Sequence, residues 1–286
     1  MISYFFSLPK LKREHYLILF FFLSICSCSR SERLTGTDRE ILTKFFEELL
    51  LEHGGAYTLL GSKPATVEDL IDMSPENQKK IRQYLASHPE IPAIEIDRHL
   101  EEGWEILQRK KVSISEKFVF TQVNYKNYNL LVFLNVDLAI SALMKHDSEI
   151  KRISDSDFDP IALIEDLRTG KHDVWRQIFD DFVCQGILLG YGLKNGILFQ
   201  DLYKERVSGS LKEEYLPSEN NDPRLKAESD LNGVPFRIPI FVMFDKKESE
   251  NLVANYKKER ERIREFYSGK DFLDTTLSQL KSGCRH

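Results

Sequence analysis

The sequence predicts an α+β fold, a small antiparallel sheet built around one hairpin and packed against several helices. Three observations carry this reading. Two apolar segments, FVFTQV and NLLVFLNV, flank Tyr125-Lys126-Asn127-Tyr128 between Lys117 and Val136, which is the pattern of a hairpin. Amphipathic helical segments lie on both sides of it. The strand-like segments neither alternate regularly with helices, as a parallel sheet requires, nor dominate the chain. The 286 residues are 42% hydrophobic and 11% aromatic, enough for a real core and too much for a disordered chain.

In chain order, Thr37 or Asp38 is expected to cap a helix running to about Leu51, with Ile41, Phe45 and Leu49 on its inner face, ended by His53-Gly54-Gly55. AYTLLG (Ala56 to Gly61) reads as a short strand or extended stretch. Thr66 to Met73 and Pro75 to Ala86 read as two short helices, the second opened by Ser74-Pro75. Pro89 and Pro92 force extended chain before a helical segment from Ile94 to Arg109. The second arm of the hairpin is apolar on both faces and is therefore placed at the centre of the sheet. Asp137 is expected to cap LAISALMKH, and Asp159-Pro160 another helix. Trp175, Ile178, Phe179 and Phe182 form one helical stripe that Gly186 continues. Gly190 and Gly192 then interrupt it, and Ile197 to Phe199 begin a further packed face, giving an αα-hairpin or kinked helix. Residues 205–235 are polar and loop-like. RIPIFVMFD (Arg237 to Asp245) reads as a third strand, at an edge because of Pro239. Lys246 to about Tyr267 is a highly charged helix, followed by a short one from Asp271 to Leu280.

The N-terminus carries an address. Lys10, Lys12 and Arg13 precede a ten-residue apolar run, Tyr16 to Ile25, with small residues after it. This is the layout of an export signal. A permanent span needs about 20 apolar residues; a soluble exported protein, an uncleaved anchor and a cytosolic apolar helix are the competing readings. Ile25-Cys26-Ser27-Cys28 resembles the lipobox of bacterial lipoproteins. The resemblance implies cleavage after residue 27, acylation of Cys28 (palmitate among the chains) and, with Ser29 rather than aspartate next, an outer-membrane destination on the periplasmic or surface side. Cys28 is preferred to Cys26 because small Ser27 precedes it where bulky Ile25 precedes Cys26. Residues 28–37 then form a polar tether and residues 38–286 a single domain.

The chain has 40 basic and 45 acidic residues; losing Lys10, Lys12, Arg13 and Glu14 with the signal leaves 37 and 44, a net charge of −7. No basic footprint points to nucleic acid. Beyond the signal only Cys184 and Cys284 remain, too few for a disulfide framework or a zinc site, though one bridge is permitted in an envelope compartment.

No motif fixes a reaction. Asp155, Asp157 and Asp159 open like a calcium loop, but Pro160 occupies the position that needs glycine, and Asp159 as helix cap explains the same residues. Gly190-Tyr191-Gly192 lacks dinucleotide-loop spacing, and Gly55 to Lys63 lacks the order of a phosphate loop. Ser62-Lys63 are adjacent on extended chain and point apart; Ser148/Lys151 and Ser278/Lys281 have no supporting motif. Cys184 sits mid-helix and reads as a buried thiol. The seven histidines are scattered. Glu47-Glu48 and Glu101-Glu102 read as solvated carboxylates, and Lys257 to Glu265 as an exposed helix with intrahelical pairs. A groove at the glycine break, edged by Tyr191, Lys194 and Asn195, is the candidate binding surface.

GGAYTLLGSKPAT (Gly54 to Thr66) and GILLGYGLKNGILF (Gly186 to Phe199), with the hairpin between them, resemble segments of uncharacterised exported proteins of chlamydia-like intracellular bacteria. That resemblance implies a bacterial envelope or secreted setting and no catalytic residue. The expected role is a non-enzymatic, lipid-anchored binding module with no cofactor and no metal, contacting the membrane through its lipid and taking a protein or small ligand. The alternatives are an envelope hydrolase with dispersed catalytic residues or a secreted effector.

Overall fold

The computed structural model describes residues 33–70, 98–126, 128–153, 158–207, 230–239, 241 and 243–282, with isolated positions 79, 83 and 87. The export segment with Cys26 and Cys28, most of the expected Pro75–Ala86 helix, Asp155, Asp157 and Cys284 lie outside the described residues.

The first helix, α1 (Gly36–Phe46), starts earlier than expected. Thr35, not Thr37 or Asp38, is its cap. The Thr35 hydroxyl accepts from the Asp38 amide at 3.1 Å, and Asp38 Oδ2 accepts from the Thr35 amide at 2.9 Å, a reciprocal capping box. These bonds, the backbone one foremost, hold the Asp38 carboxyl down at about 2. A π-helical turn over Glu47–Glu52 continues α1. Gly54, at φ +76°, ends it and opens α2 (Gly55–Leu60). The AYTLLG segment expected as strand is therefore mostly helix.

β1 (Ala65–Leu70) follows, where a helix was expected. It pairs antiparallel with a strand 59 to 69 residues further on, Ala65 opposite Leu134 and Leu70 opposite Asn129. α3 (His99–Arg109) precedes the hairpin of β2 (Phe118–Tyr125) and β3 (Tyr128–Asn135). Tyr125 opposes Tyr128 across a two-residue loop whose Lys126 takes φ +52°, the left-handed region such loops need. The strand order is β1-β3-β2, so the apolar second arm is central, as its sequence implies.

The side chains of β3 explain why both its faces are apolar. Leu131 and Phe133 enter one core with Phe118, Leu70 and Tyr57. Leu130, Val132 and Leu134 enter another with Val119, Ala139, Leu163 and Trp175. The sheet is the middle layer of three. α1, α2 and α3 cover one face with the last two helices, α10 (Lys246–Tyr267) and α11 (Phe272–Lys281). The other face is covered by α4 (Val136–Lys145), α5 (Asp147–Lys151), α6 (Pro160–Thr169), α7 (Asp173–Asp180) and α8 (Phe182–Leu188). Every residue of both cores lies beyond position 33, so a chain starting at residue 29 retains all of them.

α4 is capped by Asn135 rather than Asp137, through the Leu138 amide at 3.3 Å. Asp159 caps α6 as expected, accepting from the Ile161 amide at 2.9 Å with Pro160 in the first turn. The Trp175 stripe bends at Asp181, whose carboxylate accepts from the Cys184 amide at 2.9 Å and starts α8. α9 (Leu193–Val207) returns against α8, completing the expected αα-hairpin. The described residues of Arg237 to Asp245 form no strand; a two-residue hairpin, β4 (Asp230–Leu231) and β5 (Val234–Pro235), precedes them. α10 is a helix as read from its charges, but it is not exposed all round. Tyr256, Glu259, Arg260 and Ile263 are buried, and Glu259 Oε2 accepts from the Ser62 amide at 3.1 Å. Among the described residues no helix is long and apolar enough to cross a membrane.

Candidate functional site

The α8–α9 corner is built by glycines. A side chain at Gly186 would place its Cβ 2.7 Å from the Gly192 carbonyl oxygen and 3.0 Å from Gly196 Cα. One at Gly196 would lie 2.9 Å from the Phe182 carbonyl oxygen and 3.1 Å from Val183 Cα. The two backbones touch, and only glycine permits it. Gly190 and Gly192 take φ +72° and +96°, so Tyr191 is the one side chain in a left-handed turn.

A cavity of about 230 Å³ opens on this corner, lined by Phe182, Gln185, Gly186, Tyr191, Asn195, Gly196, Phe199 and Phe241. Its walls are mainly aromatic. Phe182 meets Phe199 edge to face at 4.7 Å between centroids and Tyr203 at 4.9 Å. Tyr191 stacks on Phe241 at 5.6 Å. Ile197, Leu198, Tyr203 and Met243 are exposed large apolar residues of the same region.

The three residues expected to edge the groove fare differently. Tyr191 forms a wall, its phenol pushed up to about 12 by burial. Asn195 is buried, but its polar atoms are committed to the fold. Oδ1 accepts from the Phe244 and Asp245 amides at 3.0 and 2.9 Å and from the Ser249 hydroxyl at 3.2 Å, while Nδ2 donates to the Tyr191 carbonyl at 2.9 Å. It clips the start of α10 onto the glycine turn. Lys194 points outward, 3.8 Å from Asp245 Oδ2 and 62% exposed, and is not among the lining residues.

Two groups escaped the sequence reading. Lys63 is 1% exposed. Its ammonium donates to Thr66 Oγ1 at 3.0 Å and lies 5.8 Å from the centroid of the Tyr191 ring. Thr66 and Thr58 hydroxyls pair at 2.9 Å. Burial pulls the Lys63 amine down to about 8, with Glu68 opposing the fall. Phe241 belongs to the apolar run read as strand. In addition, Glu47 and Glu48 are not a solvated pair. Glu47 is buried and accepts from Asn232 Nδ2 at 2.6 Å. Glu48 faces His53 Nε2 at 3.8 Å, and Glu68 lies 3.0 Å from His53 Nδ1. Burial lowers the His53 imidazole, but the bonds to Glu48 and Glu68 outweigh it and hold the ring up at about 10.

The Cys184 thiol is buried and pushed up, chiefly by burial and then by the Asp181 charge, the opposite of what a nucleophile needs. A second cavity, about 340 Å³ between α5 and α9, is lined by Ser148, Glu149, Arg152, Val183, Ile197 and Gln200. Its arginine is already bonded to Asp181 at 2.7 Å. Among the described residues no group of three or more histidine, cysteine or acidic side chains is arranged to hold a metal ion.

The glycine turn makes a graded prediction. Gly190→Val should destabilise the fold more than Gly192→Val. Both place a side chain at positive φ, costing roughly 1 kcal/mol. At Gly190 the new Cβ would also lie 2.4 Å from the buried Tyr256 hydroxyl, which donates to the Gly190 carbonyl at 2.8 Å. At Gly192 the obstacle is the Glu248 carboxylate at 2.5 Å, the far end of a flexible side chain. Urea melts should separate the two by about 1 kcal/mol or more; equal midpoints would contradict the packing described.

No family model, curated protein or solved structure matches this chain.

Proposed function

We propose that this chain is a lipid-anchored envelope protein whose folded part binds an apolar ligand rather than converting it. The observation that carries the binding reading is the aromatic-walled cavity on the glycine corner. Concave, largely apolar sites with few polar groups are the usual form of a small-ligand pocket, and this cavity lies where Gly186 and Gly196 bring α8 and α9 together. The anchoring half rests on the N-terminal sequence. Seven residues lie between Cys28 and Gly36, the first residue of α1, eight steps that reach at most ~28 Å, so acylated Cys28 would keep the domain against a membrane surface.

The test of the pocket uses residues 29–286 and octanol, an uncharged apolar probe. Amide resonances of Gly186, Tyr191 and Gly196 should shift on titration, and Phe199→Ala should weaken the effect. Shifts elsewhere, or none, would refute the reading. The anchor is checked by labelling cells with a clickable fatty acid. Wild type should label and Cys28→Ala should not; equal labelling sinks the assignment, and loss only in Cys26→Ala moves the site.

A further inference from the structure

Lys63 is the buried group that the fold does not use up. An ammonium has three donors. Here one goes to Thr66 Oγ1 at 3.0 Å, and a second interaction is with the Tyr191 ring at 5.8 Å, within the range of cation–π attraction. The nearby carboxylate, Glu68, is already engaged by His53 at 3.0 Å. An ammonium enclosed with so few partners is costly. Two left-handed glycines border it, Gly54 at ordinary contact distance from the amine and Gly190 closer to the stem. A Cβ at Gly54 would stand 3.7 Å from Lys63 Nζ, and one at Gly190 3.3 Å from Lys63 Cγ.

Gly190 adjoins the lysine stem, and Tyr191 lines the cavity and faces the lysine amine. The amine and the apolar cavity are thus separated by a partition one residue thick. That residue, Tyr191, is the sole side chain between two glycines at positive φ and stacks on Phe241 at 5.6 Å, so its ring leaves the partition only by giving up that stack.

We propose that the cavity and Lys63 are two ends of one site, and that its ligand is a medium-chain carboxylate: an apolar tail between Phe182, Phe199 and Phe241, and a head that reaches Lys63 Nζ when Tyr191 turns aside. The inference rests on the apolar-pocket reading above and names its ligand class. The cavity of about 230 Å³ holds roughly seven or eight heavy atoms at ~30 Å³ each, the volume of a water molecule in the liquid, which fits an octanoate tail. A carboxylate supplies the acceptors the ammonium lacks, in a charge-assisted bond. A hydroxyl head offers a neutral acceptor without the countercharge, and a cationic head is repelled.

The experiment compares octanoate with octanol by calorimetry on residues 29–286. Octanoate should bind at least tenfold more tightly. Lys63→Met should bring octanoate down to the level of octanol and leave octanol unchanged. In wild-type protein labelled with ¹³C at lysine Cε, the Lys63 signal should move with octanoate and not with octanol. If Lys63→Met binds octanoate as wild type does, or the Lys63 signal stays still at saturation, the carboxylate inference is overturned while the apolar pocket stands. If neither probe binds wild type, both readings fall together.

Discussion

Leu131→Asp, Phe133→Asp and Val132→Asp should each abolish the cooperative thermal transition of residues 29–286. All three positions are fully buried. Leu131 and Phe133 face the core formed with α1, α2, α3, α10 and α11, and Val132 faces the core formed with α4 to α8. Removing a buried leucine side chain costs about 3–5 kcal/mol in transfer and cavity terms. An unpaired carboxylate among apolar neighbours adds several more, or takes up a proton at similar expense. Together these reach the whole stability of an ordinary domain, about 5–15 kcal/mol. The control is Leu131→Ala, which lacks the charge and should melt cooperatively at a lower temperature. Circular dichroism melts decide the matter. If Val132→Asp alone melts like wild type, β3 is covered on one face only and the three-layer arrangement is wrong; if all three do, the strand is peripheral.

β3 was legible because a strand buried on both faces has no alternation to hide. NLLVFLNV admits few other readings beside a turn. The caps were legible in kind but shifted in place. Asp159-Pro160 stands where expected, whereas Thr35 caps in place of Thr37 or Asp38, with Asp38 completing the reciprocal bond; Thr37 has Glu40 at the same spacing, so spacing alone does not choose between them. α2 and β1 were exchanged. AYTLLG is six apolar or small residues, a length at which periodicity does not separate strand from buried helix, and Gly54 starts it as a helix from a left-handed residue. ATVEDL carries Glu68 and Asp69 and looks helical; its strand state comes from pairing with Leu130 to Leu134, a partner no local window contains. The burial of Glu259 and Arg260 in a run of charges was likewise invisible, since it depends on the Ser62 amide and α2 lying against that side of α10. The glycine break was the part of the candidate site that the sequence revealed, because two glycines around one tyrosine between apolar stripes have a backbone reason. Phe241 and Lys63 were not, because what makes them part of the site is where distant segments meet.

Lys63→Met should make the protein more stable at pH 7, by about 2 kcal/mol, and the gain should fade as the pH rises. The Lys63 amine is held near 8 in the fold against an ordinary 10.5, a difference of about 3 kcal/mol at ~1.4 kcal/mol per unit. The sign follows from proton counting. Between about 8 and 10.5 the unfolded chain carries a proton that the folded chain has lost, so stability rises with pH across that window. Below 8 the full cost of the buried charge is present, and above 10.5 it is gone. Methionine keeps an unbranched apolar side chain for the packing around Gly54 and Gly190. It gives up the hydrogen bond to Thr66, worth about 1 kcal/mol, but leaves Thr66 paired with Thr58 at 2.9 Å. His53 complicates the absolute curve. Its folded value of about 10 means its stabilisation is full below 6.5 and is lost as pH rises towards 10, opposite in direction to Lys63. Both proteins contain His53, so most of its titration cancels in the difference between variant and wild type, Glu68 being the group through which the two sites couple. Urea melts of the pair at pH 7 and at pH 10.5 read that difference directly. A variant less stable than wild type at pH 7, or a difference that does not shrink by pH 10.5, would show that the ammonium is well accommodated as it stands. The expected result bears on the carboxylate proposal: a charge whose removal strengthens the fold is not there to hold the fold together, as that proposal requires.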